Sequence, residues 1–242
     1  ALRGRLFESL PAGGMLGVQL GAAELEPLMD SSLCLAAING PELSVVSGPV
    51  ASLQAFEQRL AAREISCQRI RIDVAAHSSM LEPILREFES YLRGLKLNAP
   101  KLPFVSNLTG DWITADQARD PAYWVRHLRQ TVRFGDGVAR LLAEDRYALL
   151  EVGPGRTLTS LARLQTAAPG RTITNSLRHP DEQVNDLRYM LLALGRLWQG
   201  GVEPDWARFY EMQVRGRISL PTYAFDHQTL WVEPGRNTGH TV

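Results

Sequence analysis

The hydrophobic and polar positions between residues 14 and 72 predict six secondary-structure elements. Four segments have the short apolar character of strands: MLGVQL, LCLAAI, LSVVSG and CQRIRI. Two segments have helical spacing: AAELEPLM and PVASLQAFEQRLAARE. In the second helix Leu53, Phe56 and Leu60 fall on one face, and Pro49 lies near the start. In chain order the elements are βαββαβ, which is the order of a ferredoxin-like subdomain.

Beyond residue 73 the pattern changes to a longer alternation of helices and strands. The segment SSMLEPILREFESYLRGL has apolar residues at helical spacing, with Ser79 and Glu82 as a capping box and Gly94 near its end. Two short buried strands are predicted further on, in LPFVSN and YALLEVGPG. Between them, YWVRHLRQTVRFGDGVARLL predicts two helices separated by an irregular link.

The two ends of the chain have different patterns. LRGRLFESL predicts a short helix that ends at Pro11, and DEQVNDLRYMLLALGRLWQGG predicts a helix that ends at Gly200 and Gly201. The tail ISLPTYAFDHQTLWVEP is aromatic, and its prolines favour an extended chain. Its aromatic residues either stack on a ligand or pack on the rest of the protein.

Composition and charge exclude several classes of protein. A chain of 242 residues with 45% hydrophobic content can bury a core in one large domain or two smaller ones. Its 26 basic and 26 acidic residues balance, so no net field attracts nucleic acid or an anionic membrane. No apolar run approaches the roughly 20 residues of a spanning helix, and no apolar signal core follows the first arginines. We expect a cytoplasmic protein.

The sequence offers no evident nucleophile. Cys34 and Cys67 lack metal-ligand spacing and lie in predicted strands, which favours buried thiols over a disulfide, a zinc site or a reactive cysteine. No Gly-x-Ser-x-Gly elbow occurs in the 242 residues. We therefore predict neither a nucleophile nor a metal site in this chain.

His77 is the strongest candidate for chemistry. It follows an apolar stretch and directly precedes the predicted start of a helix, in the sequence IDVAAHSSMLEPI. A corner between a strand and a helix is a common position for catalytic groups in α/β proteins. The helix dipole would favour the neutral imidazole that a general base requires. The alternative is a structural corner histidine whose ring bonds nearby backbone, and the residues alone leave both interpretations open.

Six segments in order carry a resemblance to a known family: AAINGPELSVVSGP, IDVAAHSSMLEPI, PFVSNLTGDWIT, YWVRHLRQTVRF, LLEVGPGRTL and ISLPTYAFDHQTLW. Together they resemble the acyltransferase domains of modular type I polyketide synthases, over nearly the whole chain. The resemblance implies an α/β fold with an α+β insertion: a partial α/β-hydrolase-like large subdomain, an inserted ferredoxin-like subdomain and an extended C-terminal linker.

The resemblance also implies a division of the chain and its partners. The expected parts are 1–13, the end of a large-subdomain helix; 14–73, the ferredoxin-like subdomain; 74–178, the remainder of the large subdomain; and 179–242, a helix and the post-acyltransferase linker. In this linker Tyr223, Phe225 and Trp231 would pack on the domain. The half that bears the serine elbow would lie before Ala1. Expected partners are that half, an acyl carrier protein, and the neighbouring ketosynthase and linker regions.

The activity implied by the resemblance is transfer of a malonyl-type unit from coenzyme A, through an acyl-serine, to phosphopantetheine on the carrier protein. No bound cofactor is expected. His77 would be the general base, oriented by the main-chain carbonyl of His127. Without the serine, the chain alone would be inactive. The alternative function is a non-catalytic docking module for carrier or neighbouring synthase domains.

Substrate selection in the family correlates with four residues that end at the catalytic histidine. His-Ala-Phe-His accompanies malonyl, and Tyr-Ala-Ser-His or its Val-first variant accompanies methylmalonyl. Here the four are Val74, Ala75, Ala76 and His77. The small Ala76 favours methylmalonyl and leaves malonyl open. Asn39 resembles a polar residue at the mouth of the acyl pocket, although it also suits a turn.

One glycine-containing segment, EVGPGRTL, suggests two structures. Gly153 and Gly155 precede a predicted helix start, as in a phosphate-binding loop, but a pair of glycines alone is weak evidence. The resemblance favours a structural turn between a strand and a helix.

Overall fold

A computed structural model describes residues 2–165, 170–228 and 231. The chain forms two compact units, residues 1–203 and 204–242. The first unit begins with helix α1, Leu2–Glu8, as the sequence predicts.

A four-stranded antiparallel sheet follows α1. Its strands are β1 (Gly13–Val18), β2 (Cys34–Gly40), β3 (Leu43–Pro49) and β4 (Cys67–Ile70), in the spatial order β2-β3-β1-β4. Helix α2, Ala22–Leu25, and a short 3-10 turn connect β1 to β2, whereas helix α3, Val50–Ala61, connects β3 to β4. The predicted βαββαβ order is confirmed, and the strand order is that of a ferredoxin-like fold.

The apolar face of α3 that the sequence predicts packs against the sheet and stabilises it. Leu53 and Phe56 have no exposed surface and pack against Leu16 and Val46 in one apolar cluster. Burying each such side chain contributes about 1.5–3 kcal/mol relative to exposing it. This cluster is the main core of the sheet, so β1 and β3 are fixed in place beneath α3.

The remainder of the first unit alternates helices with short strands. The helices are α4 (Glu82–Arg93), α5 (Ala115–Arg119), α6 (Pro121–Arg129), α7 (Phe134–Leu142), α8 (Thr157–Arg163) and α9 (Asp186–Gln199). The strands are β5 (Val105–Ser106), β6 (Asp111–Trp112), β7 (Leu149–Pro154) and β8 (Ile173–Leu177). Strands β5 and β6 form an antiparallel pair, and β7 and β8 form a parallel pair. The mixed α/β fold class is thus confirmed, as are the two helices with an irregular link between them.

The structure corrects the prediction for the start of α4. Ser79 and Glu82 do not form a capping box. The cap is Ser78, whose hydroxyl accepts a hydrogen bond from the Met80 N–H at 3.2 Å and begins a 3-10 turn, Ser79–Leu81, before α4. The Glu82 carboxylate instead pairs with Arg129, 2.6 Å away. The physical reason is that a 3-10 turn capped by Ser78 comes before α4, so the α-helix itself begins only at Glu82.

Helix α9 packs against β8 within the first unit. The sequence-based division grouped this helix with the linker, whereas the compact first unit extends to Glu203. The boundaries of that division stay predictions.

Among its described residues, the second unit contains one short helix, α10, Trp206–Phe209, and chain without regular secondary structure from 214 to 228. Tyr223, Phe225 and Trp231 are largely exposed. Packing of these side chains on the domain stays a prediction, and residues 229–230 and 232–234 of the aromatic tail lie outside the described residues.

Candidate functional site

His77 occupies a strained corner at the start of the 3-10 turn that leads into α4. Its φ angle is 56°, in the left-handed region that non-glycine residues rarely adopt. The conformation is held by Ser78, which is fully buried and donates a hydrogen bond to the carbonyl of Ala75 at 2.6 Å. Such strain costs on the order of 1–3 kcal/mol and is often found at functional sites. His77 therefore precedes a helix start, as the sequence predicts, but β4 ends at Ile70, so irregular chain and not a strand leads into this corner.

The ring of His77 is oriented by a main-chain carbonyl. Its Nδ1 lies 2.9 Å from the main-chain oxygen of Gln130. Because a carbonyl oxygen can only accept, Nδ1 carries the proton in the neutral ring and donates it to Gln130. The lone pair of the neutral imidazole is then on Nε2. This is the tautomer that a general base needs when the reacting hydroxyl approaches Nε2.

The structure corrects the identity of the orienting residue. The prediction named the carbonyl of His127, but the acceptor belongs to Gln130. His127 lies within the last turn of α6, whereas Gln130 is the C-cap residue, with extended angles of φ −88° and ψ 166°. Carbonyls within a helix point along its axis, and Gln130 has left the helix, so its carbonyl can turn toward His77.

The side chain of His127 packs against Trp124, with ring centroids 5.6 Å apart. It is partly buried, and it lies close enough to His77 for a charge on one ring to act on the other. The structure thus brings both predicted histidines into one region, but His127 does not supply the orienting carbonyl, and the role of His77 as general base stays a prediction.

Electrostatics favour the neutral form of His77. Burial is the main cause that lowers its pKa below the ordinary value for histidine, while the hydrogen bond to Gln130 raises the pKa and so opposes the shift. The nearby His127 and Arg3 lower the pKa further. Burial also lowers the pKa of His127, with Arg3 as a second cause. At neutral pH both rings are therefore mainly uncharged.

A cavity of about 460 Å³ opens beside His77. Its lining residues are Cys34, Leu35, His77, Leu108, Arg129, Gln130, Thr131 and Arg133. The two guanidinium groups have carboxylate partners, Glu82 for Arg129 and Asp136 for Arg133, both at 2.6 Å. The volume falls in the range of small-molecule sites, about 300–1,000 Å³.

Sequence reasoning missed several residues of this cavity, including Gln130, Thr131 and Arg133. They follow α6 in the segment RQTVR, where the apolar spacing that predicted the helix stops. The polar composition of that segment was the available signal for a functional site. Composition alone, however, does not show which element of the fold the segment faces.

Asn39 and His77 line different cavities. Asn39 belongs to β2 and not to a turn, its carbonyl accepts a hydrogen bond from Nε2 of Gln165 at 2.7 Å, and it lines a second cavity of about 380 Å³ with Arg69 and Leu161. The turn interpretation of Asn39 is therefore wrong, and its role in substrate binding stays a prediction.

The three residues before His77 have different surroundings. Val74 packs against the apolar cluster that contains Leu6 and Leu81. Ala75 is 1% exposed and lies against Gly13: a Cβ atom at Gly13 would be only 2.7 Å from the Cβ of Ala75. Ala76 is partly buried. Their predicted contacts with substrate stay predictions.

The two cysteines lie in strands, as predicted, but neither is fully buried. Cys34 begins β2 and lines the cavity of His77, with its sulfur 3.9 Å from the hydroxyl of Ser79. Burial, followed by the charge of Glu57, raises the pKa of Cys67, which keeps that thiol protonated. Among the described residues, no side-chain hydroxyl or thiol is hydrogen-bonded to Nε2 of His77.

The turn between β7 and α8 is structural, as the resemblance implied. Glu151 occupies the start of α8, where its carboxylate accepts hydrogen bonds from the N–H groups of Leu158 and Thr159 at 3.1 and 2.8 Å. These donors would have to be free to bind a phosphate. Gly155 is required because its φ is 90°.

The described part of the chain lacks two kinds of feature. No cluster of three or more His, Cys, Asp or Glu side chains there is arranged to hold a metal ion. No helix there combines the length and the apolar character needed to cross a bilayer.

Two solved structures that are similar to this chain are acyl transferase domains. The acyl transferase domain of ZmaA is 39% identical with a TM-score of 0.81, over 91% of this chain and 52% of its own. The acyl transferase domain of SpnD, solved in complex with 2-(pent-4-yn-1-yl)malonyl, is 42% identical with a TM-score of 0.79, over 83% of this chain and 49% of its own. The chain thus spans about half the length of each.

The sequence relatives define the family. The family model described as acyl transferase domain matches residues 1–195. One of the phenolphthiocerol/phthiocerol polyketide synthase proteins of Mycobacterium tuberculosis is 38% identical over 100% of this chain and 16% of its own length. The chain belongs to the acyl transferase domain family, within the branch found in polyketide synthases.

Proposed function

We propose that this chain contributes the general base and the ferredoxin-like subdomain to a polyketide synthase acyltransferase. The reaction moves a malonyl-type unit from coenzyme A to the phosphopantetheine thiol of an acyl carrier protein. The observation that carries the proposal is the hydrogen bond between Nδ1 of His77 and the Gln130 carbonyl, which leaves Nε2 as the proton acceptor.

His77 would act in both half-reactions. In the first, Nε2 takes the proton of a serine hydroxyl as its oxygen attacks the thioester, and the proton then passes to the departing thiol of coenzyme A. In the second, Nε2 takes the proton of the carrier thiol as sulfur attacks the acyl-serine, and returns it to the serine oxygen. The chain has no Gly-x-Ser-x-Gly elbow, so the proposal assigns the serine to a segment outside these 242 residues.

The acyl group is proposed to be malonyl-type, with methylmalonyl favoured over malonyl. SpnD binds a malonyl group that carries a substituent, which supports a branched substrate in a relative 42% identical to this chain. Ala76 lies next to His77, and its small side chain leaves space for a branch at the acyl α-carbon. The proposed reaction needs no bound cofactor, and coenzyme A enters as part of the substrate.

The direct test is acylation of the complete acyltransferase domain that contains this chain. His77→Ala should slow formation of the acyl-serine by about 10²–10⁴-fold, because a general base is lost. The matched control is His179→Ala, since His179 is exposed and lies in the segment between β8 and α9. Intact-mass spectrometry measures the acyl adduct. Equal acylation of His77→Ala and wild type would refute the proposal and favour a docking module.

A second measurement uses the 242-residue chain by itself. We expect no stable acyl adduct after incubation with malonyl- or methylmalonyl-coenzyme A, because no hydroxyl or thiol of the described residues is hydrogen-bonded to Nε2 of His77. An adduct on Cys34, which lines the same cavity, would overturn this expectation.

A further inference from the structure

The segment that follows α6 is attached to β2 by three hydrogen bonds. The N–H of Val132 donates to the carbonyl of Ala36, and the N–H of Ile38 donates to the carbonyl of Val132, both at 2.8 Å. The third bond is made by a side chain: the hydroxyl of Thr131 donates to the carbonyl of Leu35 at 2.7 Å. The four-stranded sheet therefore holds the residues that come directly after Gln130.

The peptide between Gln130 and Thr131 contains the carbonyl that faces His77. On one side its orientation depends on the extended conformation of Gln130 at the end of α6. On the other side it depends on Thr131, whose side chain is fixed by its bond to β2. A rotation of this peptide would move the carbonyl away from Nδ1 of His77.

We propose that Thr131 is a positioning residue: its hydroxyl, anchored on β2, holds the Gln130 carbonyl in place and thereby fixes the ring orientation and tautomer of His77. Its importance for catalysis rests on the proposed role of His77 as general base. The positioning itself does not depend on that role, because the orientation of the His77 ring is a property of the folded chain. The ferredoxin-like sheet would thus contribute to the chemistry without placing a side chain on the substrate.

The titration of His77 reports on this positioning. The bond to Gln130 raises the pKa of His77, since a carbonyl that accepts from Nδ1 also stabilises the protonated ring. A less well-held carbonyl would therefore lower that pKa. The charges of His127 and Arg3, which also act on His77, belong to residues that a change at position 131 leaves in place.

The experiment is a nitrogen-15 NMR titration of the histidine side chains in the 242-residue chain, with the His77 resonances assigned by their loss in His77→Gln. Thr131→Val keeps the shape of the side chain and removes the hydroxyl. We expect the midpoint for His77 to move to lower pH, with a weaker preference for the Nδ1-protonated tautomer. Thr131→Ser should restore the wild-type values, because serine keeps the donor.

Thr174→Val is the matched control. Thr174 is buried in β8, and its hydroxyl has no hydrogen-bond partner among the described residues, so the same chemical change removes no bond. Should Thr131→Val fail to fold, Thr131→Ala removes the same hydroxyl without the branched side chain. The positioning role is overturned when the His77 titration is unchanged in the Thr131 variant, or shifts equally in Thr174→Val.

Acylation of the complete domain separates this inference from the proposed function. Thr131→Val should reduce the acylation rate by about 2-fold to 10-fold, the range that corresponds to the loss of one hydrogen bond, because the two main-chain bonds to β2 remain. Full activity of His77→Ala would refute the proposed function while leaving the NMR result intact. An unchanged titration in Thr131→Val would refute the positioning role alone.

Discussion

Nδ1 of His77 and the main-chain oxygen of Gln130 lie 2.9 Å apart, although 53 positions separate the two residues in the sequence. The contact joins the corner before α4 to the end of α6, and it requires both the left-handed conformation of His77 and the extended conformation of Gln130. Several measurable properties depend on this pair and on the residues that hold it.

Ser78→Ala should destabilise the protein by about 1–2 kcal/mol. The substitution removes both the cap of the turn before α4 and the hydrogen bond to the Ala75 carbonyl. Ser79→Ala is the matched control, because Ser79 is exposed and makes only a weak contact with Cys34. Urea unfolding measures both variants. Equal stability of the two would contradict the assignment of Ser78 as the cap.

The backbone strain at His77 predicts an order of stability between two variants. Alanine at position 77 would keep the cost of a positive φ, whereas glycine adopts this conformation freely. His77→Gly should therefore be more stable than His77→Ala by about 1 kcal/mol, although both lack the imidazole. Denaturant unfolding followed by circular dichroism compares them. A less stable glycine variant would show that the corner is not strained.

Stability should fall as the pH is lowered below the ordinary histidine pKa of about 6.5. Burial lowers the pKa of His77 and His127 in the folded state, so the unfolded chain binds more protons in this window. The contribution of the neutral rings is complete above that pH and is lost as the pH falls through the folded-state values. Thermal unfolding from about pH 7 to pH 5 measures the slope.

The pH dependence has an internal control. A double variant, His77→Gln with His127→Gln, should show a shallower loss of stability over the same range. A slope identical to that of the wild type would assign the effect to other groups.

Ala76→Phe should shift substrate preference toward malonyl. A phenylalanine beside His77 would fill the space that the α-methyl branch of methylmalonyl needs, and one methyl contact is worth about 1–3 kcal/mol of discrimination. Competition between the two thioesters on the complete acyltransferase domain gives the ratio of kcat/KM values. We expect the unmodified protein to favour methylmalonyl moderately. A wild-type ratio in favour of malonyl would refute that preference, and no change in Ala76→Phe would refute the steric explanation.

The sequence predicted the ferredoxin-like unit well because its apolar periodicity and its burial coincide. Leu53, Phe56 and Leu60 are all buried on the face of α3 where the spacing placed them. Strand β8 was missed because Thr174, Asn175 and Ser176 interrupt any apolar pattern. These polar residues are held in the strand by contacts with residues distant in the sequence. The Asn175 amide, for example, donates to the carbonyl of Gly155 and to the hydroxyl of Tyr189.

The candidate site was predictable only in part. His77 could be found because its residue type and its corner position both indicate chemistry. Gln130 could not be found in this way, because every residue carries a main-chain carbonyl. The direction of the Gln130 carbonyl is determined only by the end of α6 and by the contact of the next residues with β2. The same reasoning explains the error at His127: the resemblance implied a main-chain carbonyl in this segment, and the carbonyl that faces His77 belongs to Gln130.

The contact between Gly13 and Ala75 limits how this region can be redesigned. Ala75 is buried against the first residue of β1, and its main-chain nitrogen would lie 2.8 Å from any Cβ atom at Gly13. A side chain larger than alanine at position 75 would push against this strand and displace the start of the four-stranded sheet. Residues 74 and 76 lie on either side of this fixed point and are not subject to the same contact. Attempts to graft another substrate preference onto this chain can therefore vary those two residues, whereas position 75 has to remain alanine so that the loop carrying His77 stays seated on β1.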